Sequence, residues 1–509
     1  MARQRRRAWG ASRPGPEPIP SSILARLRRA GQRASISPGS QSQAFEHPYA
    51  FLVGALIDRA TLERAEAEAR RCGVAVHDVL LAAGWISESG YAAALAQWLG
   101  LPLVAWEGAL DLAGTDPAAG VAAGLPARID GRPVHVLAAT AGSPDALRFQ
   151  AGALRRRGVP VVLAPLSVIE AALEYRDRLP RVDHAVRGLY RQRPESSARS
   201  RAAAWQPAAI ALLVGLAIGG AVVLPDATLA AMTTVMALPF LCVTLLRLVA
   251  LREAIAGNGR PPRNDPSPER LPDWRLPLYT VLVPLFREAK VVPGLIRALR
   301  SLDYPPARLE ILLAVEEIDT EMQATLLSLD LPAGFRTLVV PKQGPQTKPK
   351  ALNYALQFAR GDFVVVYDAE DRPEPDQLRR AFGLFRQASP KVACLQAQLN
   401  IYNPRQSWLT RQFTIEYCVL FDAILPALER LRLPVPLGGT SNHFPRAALI
   451  GAGAWDPFNV TEDADLGIRL ARLGLSTRAL ASTTWEEAPP ALGGWLKQRT
   501  RWLKGWMQS

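Results

Sequence analysis

Cysteine and histidine are scarce, with four and five copies among 509 residues. The cysteines (Cys72, Cys242, Cys394 and Cys418) lie far apart with no CxxC pair. That excludes a disulfide framework and predicts reduced, buried thiols. The histidines show no HxH or HExxH spacing, which argues against a zinc enzyme. No GxxxxGKS/T run exists, so there is no P-loop. Gly451–Asp456 (GAGAWD) begins like a dinucleotide loop but lacks the third glycine and a preceding strand. The arginine-rich N-terminus has no apolar core or cleavage site, so it is not a signal peptide. Acidic residues are outnumbered, 46 against 60 basic ones, for a net charge of +14. Such a balance suits nucleic acid, anionic lipid or a phosphorylated substrate. The later arginine clusters, Arg187–Arg201 and Arg247–Arg263, flank apolar segments. Lipid headgroups are therefore the expected partner, and nucleic acid is not.

Hydrophobic residues make up 49% of the chain, enough for two or three domains with real cores. Residues 1–44, rich in Arg, Pro, Ser and Gly, are expected to be disordered. Residues 45–180 read as a small α+β domain. Apolar spacing predicts helices through Thr61–Ala69 and Tyr91–Trp98, then strand, turn, helix, strand, helix. In that run Ser143-Pro144 is the breaker and Gly158 the helix stop. A basic linker is expected over 181–204. Within 205–250, Trp205–Leu224 and Thr228–Leu246 each carry about 20 uncharged residues, the length that crosses ~30 Å of hydrocarbon. Lys and Arg flank both outer ends and are absent from the Pro225-Asp226 turn, so both flanking domains are expected in the cytosol.

After a polar linker over 251–276, an α/β domain is expected from 277 to 509. Tyr279–Phe286, Leu309–Val315, Arg336–Val340, Asp362–Asp368 and Val392–Gln398 are short, β-branched-rich runs separated mostly by helical patterns. The alternation predicts a mostly parallel sheet covered by helices. Ligands of such sheets bind beyond the carboxyl ends of the strands, so carboxylates there are the candidates.

Asp368, Glu370 and Asp371 end the most hydrophobic strand as DAED. Three carboxylates so close repel one another unless a cation sits among them, and Mg2+ or Mn2+ bridging to a diphosphate explains the cluster. A solvated acidic loop has the same composition. Glu316 and Glu317 also follow a strand and suit nucleotide hydroxyls, or form a charged loop. Thr461, Glu462 and Asp463 open a helix, either as an acidic N-terminus or with one carboxylate facing the cleft as general base. Gln498–Trp502 (QRTRW) lies among tryptophans. It reads as an interfacial amphipathic helix, or as a bidentate Arg501 grip on a diphosphate beside a Trp502 face for a sugar ring.

Taken in order, the acidic pair, the DxD-type cluster, TED and QxxRW resemble family 2 glycosyltransferases of the processive kind, such as bacterial cellulose and hyaluronan synthases. The resemblance implies a GT-A type domain and an inverting hexosyltransferase. Its donor is a nucleotide-sugar, with a UDP-sugar expected, and its acceptor is a growing glycan. Enzyme and acceptor meet at the cytosolic face of the bacterial inner membrane. It implies donor contacts from Glu316, Glu317, Lys348, Lys350 and Asp368, and metal binding by Asp368 and Glu370. Asp463 is implied as base, with Glu462 and Arg501 beside it, and acceptor contacts fall to Gln498, Trp502 and, within LGGTSNHF, Thr440. Transfer to a lipid carrier, or an inactive regulatory module, are the alternatives. Relatives of this kind carry further transmembrane helices after QxxRW, so a fragment is expected.

Residues 45–180 resemble the N-terminal domain of type II secretion ATPases, carried by Arg70–Val104 and VVLAPLSVIEAAL. Some relatives bind cyclic di-GMP through a repeated Arg-Leu-Gly element. Ala75, Val76 and His77 stand at the matching place, which leaves cyclic di-GMP as a candidate partner and a scaffold role as the expectation.

Overall fold

A computed structural model describes residues 47–112, 124–200, 205–256 and 271–508. The expected disordered segment 1–44 and most of the linker 251–276 lie outside them. The chain divides into two units. One comprises residues 1–62 and 86–172, the other 63–85 and 173–509.

In the first unit, β1 (Leu125–Ile129) and β2 (Arg132–Ala138) form an antiparallel hairpin. Its two turn residues, Asp130 and Gly131, have φ of 48° and 78°. Both are left-handed, which matches the twist of the flanking strands. The helix Pro144–Arg156 then crosses over to β3 (Val161–Ala164), parallel to β2. Ser143 caps that helix by accepting from the Ala146 N–H, with Pro144 in the first turn where its missing N–H costs nothing.

In the second unit, β4 (Tyr279–Leu285), β5 (Leu309–Glu316), β6 (Phe335–Val340), β7 (Phe363–Val366), β8 (Arg372–Pro373), β9 (Val392–Ile401), β10 (Asn442–Pro445) and β11 (Ser476–Glu486) build one sheet. The order is β6-β5-β4-β7-β10-β9-β11-β8. Strands β4 to β7 are mutually parallel, β10 runs antiparallel to both its neighbours, and β9 and β11 are parallel. Every residue of β5 after Leu309 is buried, the mark of a strand covered on both faces. The parallel strands therefore deliver the loops after Leu285, Glu316, Val340 and Val366 to one edge.

The expected linker over 181–204 differs from the structure. The helix Leu166–Gln192 runs straight through Pro180. From Leu173 onward it belongs to the second unit. An internal proline costs about 3 kcal/mol. Val182, Val186 and Leu189 are buried here, and each such side chain is worth roughly 1.5–3 kcal/mol. Packing outweighs the local breaker.

Trp205–Val223 and Pro225–Ile255 are long and apolar enough to cross a membrane. Their large aliphatic side chains are exposed almost throughout, which suggests membrane association. Near the end of the second helix, Glu253 pairs with Arg430 at 2.8 Å. Leu246 packs against a cluster that includes Phe413, Tyr417 and Leu428.

Candidate active site

Asp368 leaves β7 at the edge where the parallel strands end. Asp371 folds back beneath it, and its Oδ2 accepts the Asp368 N–H at 2.7 Å and the Thr440 hydroxyl. That turn aims the Asp368 carboxylate into the cleft while Asp371 itself stays buried. Burial, then the charges of Glu486 and Asp368, push the Asp371 carboxyl well above the usual carboxylate range. Thr440 is 1% exposed and also donates to Val366 O at 3.1 Å. It supports the acidic turn from below.

Lys348 opens the helix Lys348–Leu356. Its Nζ lies 2.6 Å from Asp368 Oδ1 and donates to Gly439 O at 2.5 Å. Burial disfavours its charge, but Asp368, Asp463 and Glu462 together outweigh burial and raise its pKa. Lys350, two residues on, points away from the cleft because successive helix positions i and i+2 face nearly opposite sides. It is fully buried and pairs with Glu316 at 2.7 Å. Glu316 and Lys350, both expected at the donor, therefore neutralise one another beneath the site. Glu317 stays exposed and accepts the Lys342 N–H at 2.8 Å.

Glu462 and Asp463 occupy the first turn of the helix Glu462–Arg472, both buried. Burial raises the proton affinity of both, and for Asp463 the neighbouring Glu462 charge raises it further. Lys348 and Arg501 pull in the other direction. Burial thus holds the Asp463 carboxyl well above the usual carboxylate range, the direction in which general bases are tuned. Arg501 sits on the helix Leu492–Trp506. Together with Gln498 and Lys497 it lines a groove of about 510 Å³ that Pro489, Pro490 and Gly494 complete. Trp502 is half-buried, with its ring 6.1 Å from Phe413 and the Arg499 guanidinium 4.7 Å above it.

Two carboxylates in this region were absent from the expected set. Glu288 follows β4, and burial, then Glu370 and Asp368, raise its pKa to about 7. Glu486 ends β11, and burial, then Asp368 and Glu370, raise it to about 8. Glu288 satisfies the same strand-end rule that singled out Asp368 and was legible on that ground. Glu486 was not, because β11 carries no apolar run.

Among the described residues no three acidic, histidine or cysteine side chains already converge on one point as metal ligands. The donor chemistry nonetheless fits a hard dication. Burial raises the proton affinity of Glu370, with Asp368 adding to it. Asp371 Oδ1 is buried without a hydrogen-bond partner. Asp368 and Glu370 are the side chains that would hold such an ion.

Linkage then gives a pH dependence. Glu288 and Glu486 are raised from 4.5 in the folded state. Their contribution to stability is therefore fully present below pH 4.5 and is lost as pH rises through about 7 to 8. Mn2+ should offset this, raising the melting temperature by about 2–5 °C at alkaline pH and by less near pH 6. Differential scanning calorimetry with and without the ion checks it. A shift of the same size at both pH values would remove the electrostatic account.

Residues 277–505 match the family model described as "Glycosyltransferase like family 2". A probable glycosyltransferase, YdaM, of Bacillus subtilis strain 168 is 29% identical over 46% of this chain and 58% of its own length. Beta-monoglucosyldiacylglycerol synthase of Synechocystis sp. is 30% identical over 46% of this chain and 48% of its own. Cellulose synthase 2 of Novacetimonas hansenii is 25% identical over 48% of this chain and 15% of its own. The chain spans about half the length of the first two relatives. Nothing in these comparisons supports a likeness of residues 45–180 to the N-terminal domain of secretion ATPases. Over residues 277–505 the chain is therefore similar to family 2 glycosyltransferases, in a segment built on an α/β, mostly parallel sheet.

Proposed function

We propose that this domain transfers a hexosyl group from a nucleotide-sugar, with UDP-sugars the expected donors, to a growing polysaccharide at the cytosolic face of the membrane. One observation carries the reading. Lys348 ties the end of β7 to the loop beside the Glu462–Arg472 helix, so Asp368 and Asp463 share one cationic centre.

The reaction is a single displacement with inversion. The Asp463 carboxylate accepts the proton of an acceptor hydroxyl as that oxygen bonds to the anomeric carbon. The bond from that carbon to the diphosphate oxygen breaks, and its electron pair leaves with the nucleoside diphosphate. Lys348 and Arg501 stabilise the charge that gathers there. When bound, a dication held by Asp368 and Glu370 would supply Lewis-acid stabilisation of the same leaving group. Gln498 and Trp502 would orient the acceptor, and the exposed Glu317 would reach the nucleotide. The two apolar helices and their basic flanks support a cytosolic membrane face as the place of reaction. The name of the Synechocystis relative supports a second acceptor, a lipid that becomes a glycolipid on transfer.

Nucleoside diphosphate release by membranes carrying the chain, measured across UDP- and GDP-sugars with Mg2+ or Mn2+, tests the proposal. Release with one sugar is expected, with a ladder of long products. A single added sugar on lipid would select the lipid acceptor. No release with any donor would overturn the transferase reading.

A further inference from the structure

Residues 173–200 precede the apolar helices, yet they pack on the catalytic domain. Val182, Ala185 and Val186 share one buried cluster with Leu338 and Val340 of β6 and with Leu352 and Ala355 of the Lys348–Leu356 helix. Val186 also presses on the loop that joins those two elements. A Cβ added at Gly344 would lie 2.9 Å from the nearest Val186 methyl. On the helix, the Asn353 amide donates to Ala185 O at 3.0 Å and to Trp455 O at 2.8 Å, and its oxygen accepts the Trp455 N–H at 3.1 Å. Gln357 adds a bond to Arg181 O at 2.9 Å. The helix that presents Lys348 is thereby clamped along its length.

The far end of the segment reaches the other half of the site. Ser197 Oγ donates to Asp456 Oδ1 at 3.1 Å, and the Ala198 N–H donates to Asp456 Oδ2 at 2.5 Å. Asp456 is fully buried. Its loop continues to Asn459, whose side chain accepts the Thr461 N–H at 2.9 Å, and Thr461 immediately precedes Glu462 and Asp463. The Arg199 guanidinium lies 5.2 Å from the Phe458 ring in the same loop.

We propose that residues 173–200 are a positioning strap of the transferase, holding the donor lysine through Val186 and Asn353 and the base through Ser197 and Asp456. The inference rests on the reading of Lys348 and Asp463 given above. Each end of the strap addresses one function, so the two ends have different kinetic signatures. Val186→Ala loosens the donor loop and should raise the donor KM about 5-fold while kcat stays within 2-fold. Asn353→Ala also releases the Trp455 backbone beside Asp456, so it should raise the donor KM and lower kcat together. Ser197→Ala loosens the base loop and should lower kcat about 5-fold with the donor KM unchanged, and Ser197→Thr, which keeps the hydroxyl, should restore it.

The full chain in membranes is assayed for nucleoside diphosphate release, with rates normalised to folded protein from its thermal transition. The strap is overturned if the variants lose rate only in proportion to folded protein and keep the parent donor KM. If Asn353→Ala does not accumulate, the two-methyl deletion Val186→Ala carries the test. A parent that turns over no donor would instead strike the transferase reading, so the two failures are distinguishable.

Discussion

Asp463→Asn should lower sugar transfer about 10³-fold while donor affinity stays within about 3-fold, the size expected when a general base is removed. The amide keeps the shape of the side chain and its place in the first helical turn, so the loss measures proton transfer. Glu462→Gln supplies the complement. The Glu462 charge follows burial as the cause that raises Asp463. Its removal should move the acid limb of the pH–rate profile downward, a limb that belongs to the coupled pair. Isothermal titration with nucleoside diphosphate and a labelled-sugar transfer assay separate binding from chemistry. Full turnover in Asp463→Asn would rule this carboxylate out as base.

Gly505→Ala should cost about 10²-fold in kcat, although Gly505 touches no substrate. An added Cβ would sit 2.1 Å from Thr461 Oγ1 and 2.6 Å from its Cβ, atoms that have no flexible stem to swing away. The helix Leu492–Trp506 must then shift, and Arg501 lies one turn earlier on it. A misplacement near 1 Å at a charge-stabilising group carries a penalty of that order. The swap Gly505→Ala with Thr461→Gly removes the three nearest clashing atoms. Thr461 makes no side-chain capping bond and its hydroxyl gives up only a 3.3 Å bond to Asn459 Oδ1, so the second change should cost about 1 kcal/mol. Recovery of most of the rate in the double variant is the expected result. Equal loss in both would place the effect elsewhere than this contact.

The parallel half of the sheet was readable because β4, β5 and β7 carry β-branched runs whose burial on both faces shows in composition, with the edge strand β6 beside them. Strands β10 and β11 were not. The four residues of β10 (NHFP) and the polar eleven of β11 become strands only through pairing with β7 and β9, partners tens of residues away. The same contrast runs through the site. DAED, TED and QxxRW are short runs of charge and aromatic character, visible without a partner. Glu486 joins them only because β11 returns to the same edge.

Local pattern therefore determined the sheet's parallel core and the two apolar helices, while the candidate base Asp463 was named only by the family resemblance. Those properties depend on near neighbours and on backbone preference. Tertiary structure decided which of two lysines faces the cleft, with Lys348 on Asp368 and Lys350 buried on Glu316. It also decided that Thr440 holds Asp371 from below, and that a segment which reads as a basic linker is clamped to the catalytic core. Each of those outcomes turns on desolvating a charge or an apolar face against a distant partner. Apolar burial supplies the free energy that overrides local preference, and the buried charges are tolerated because each meets a partner.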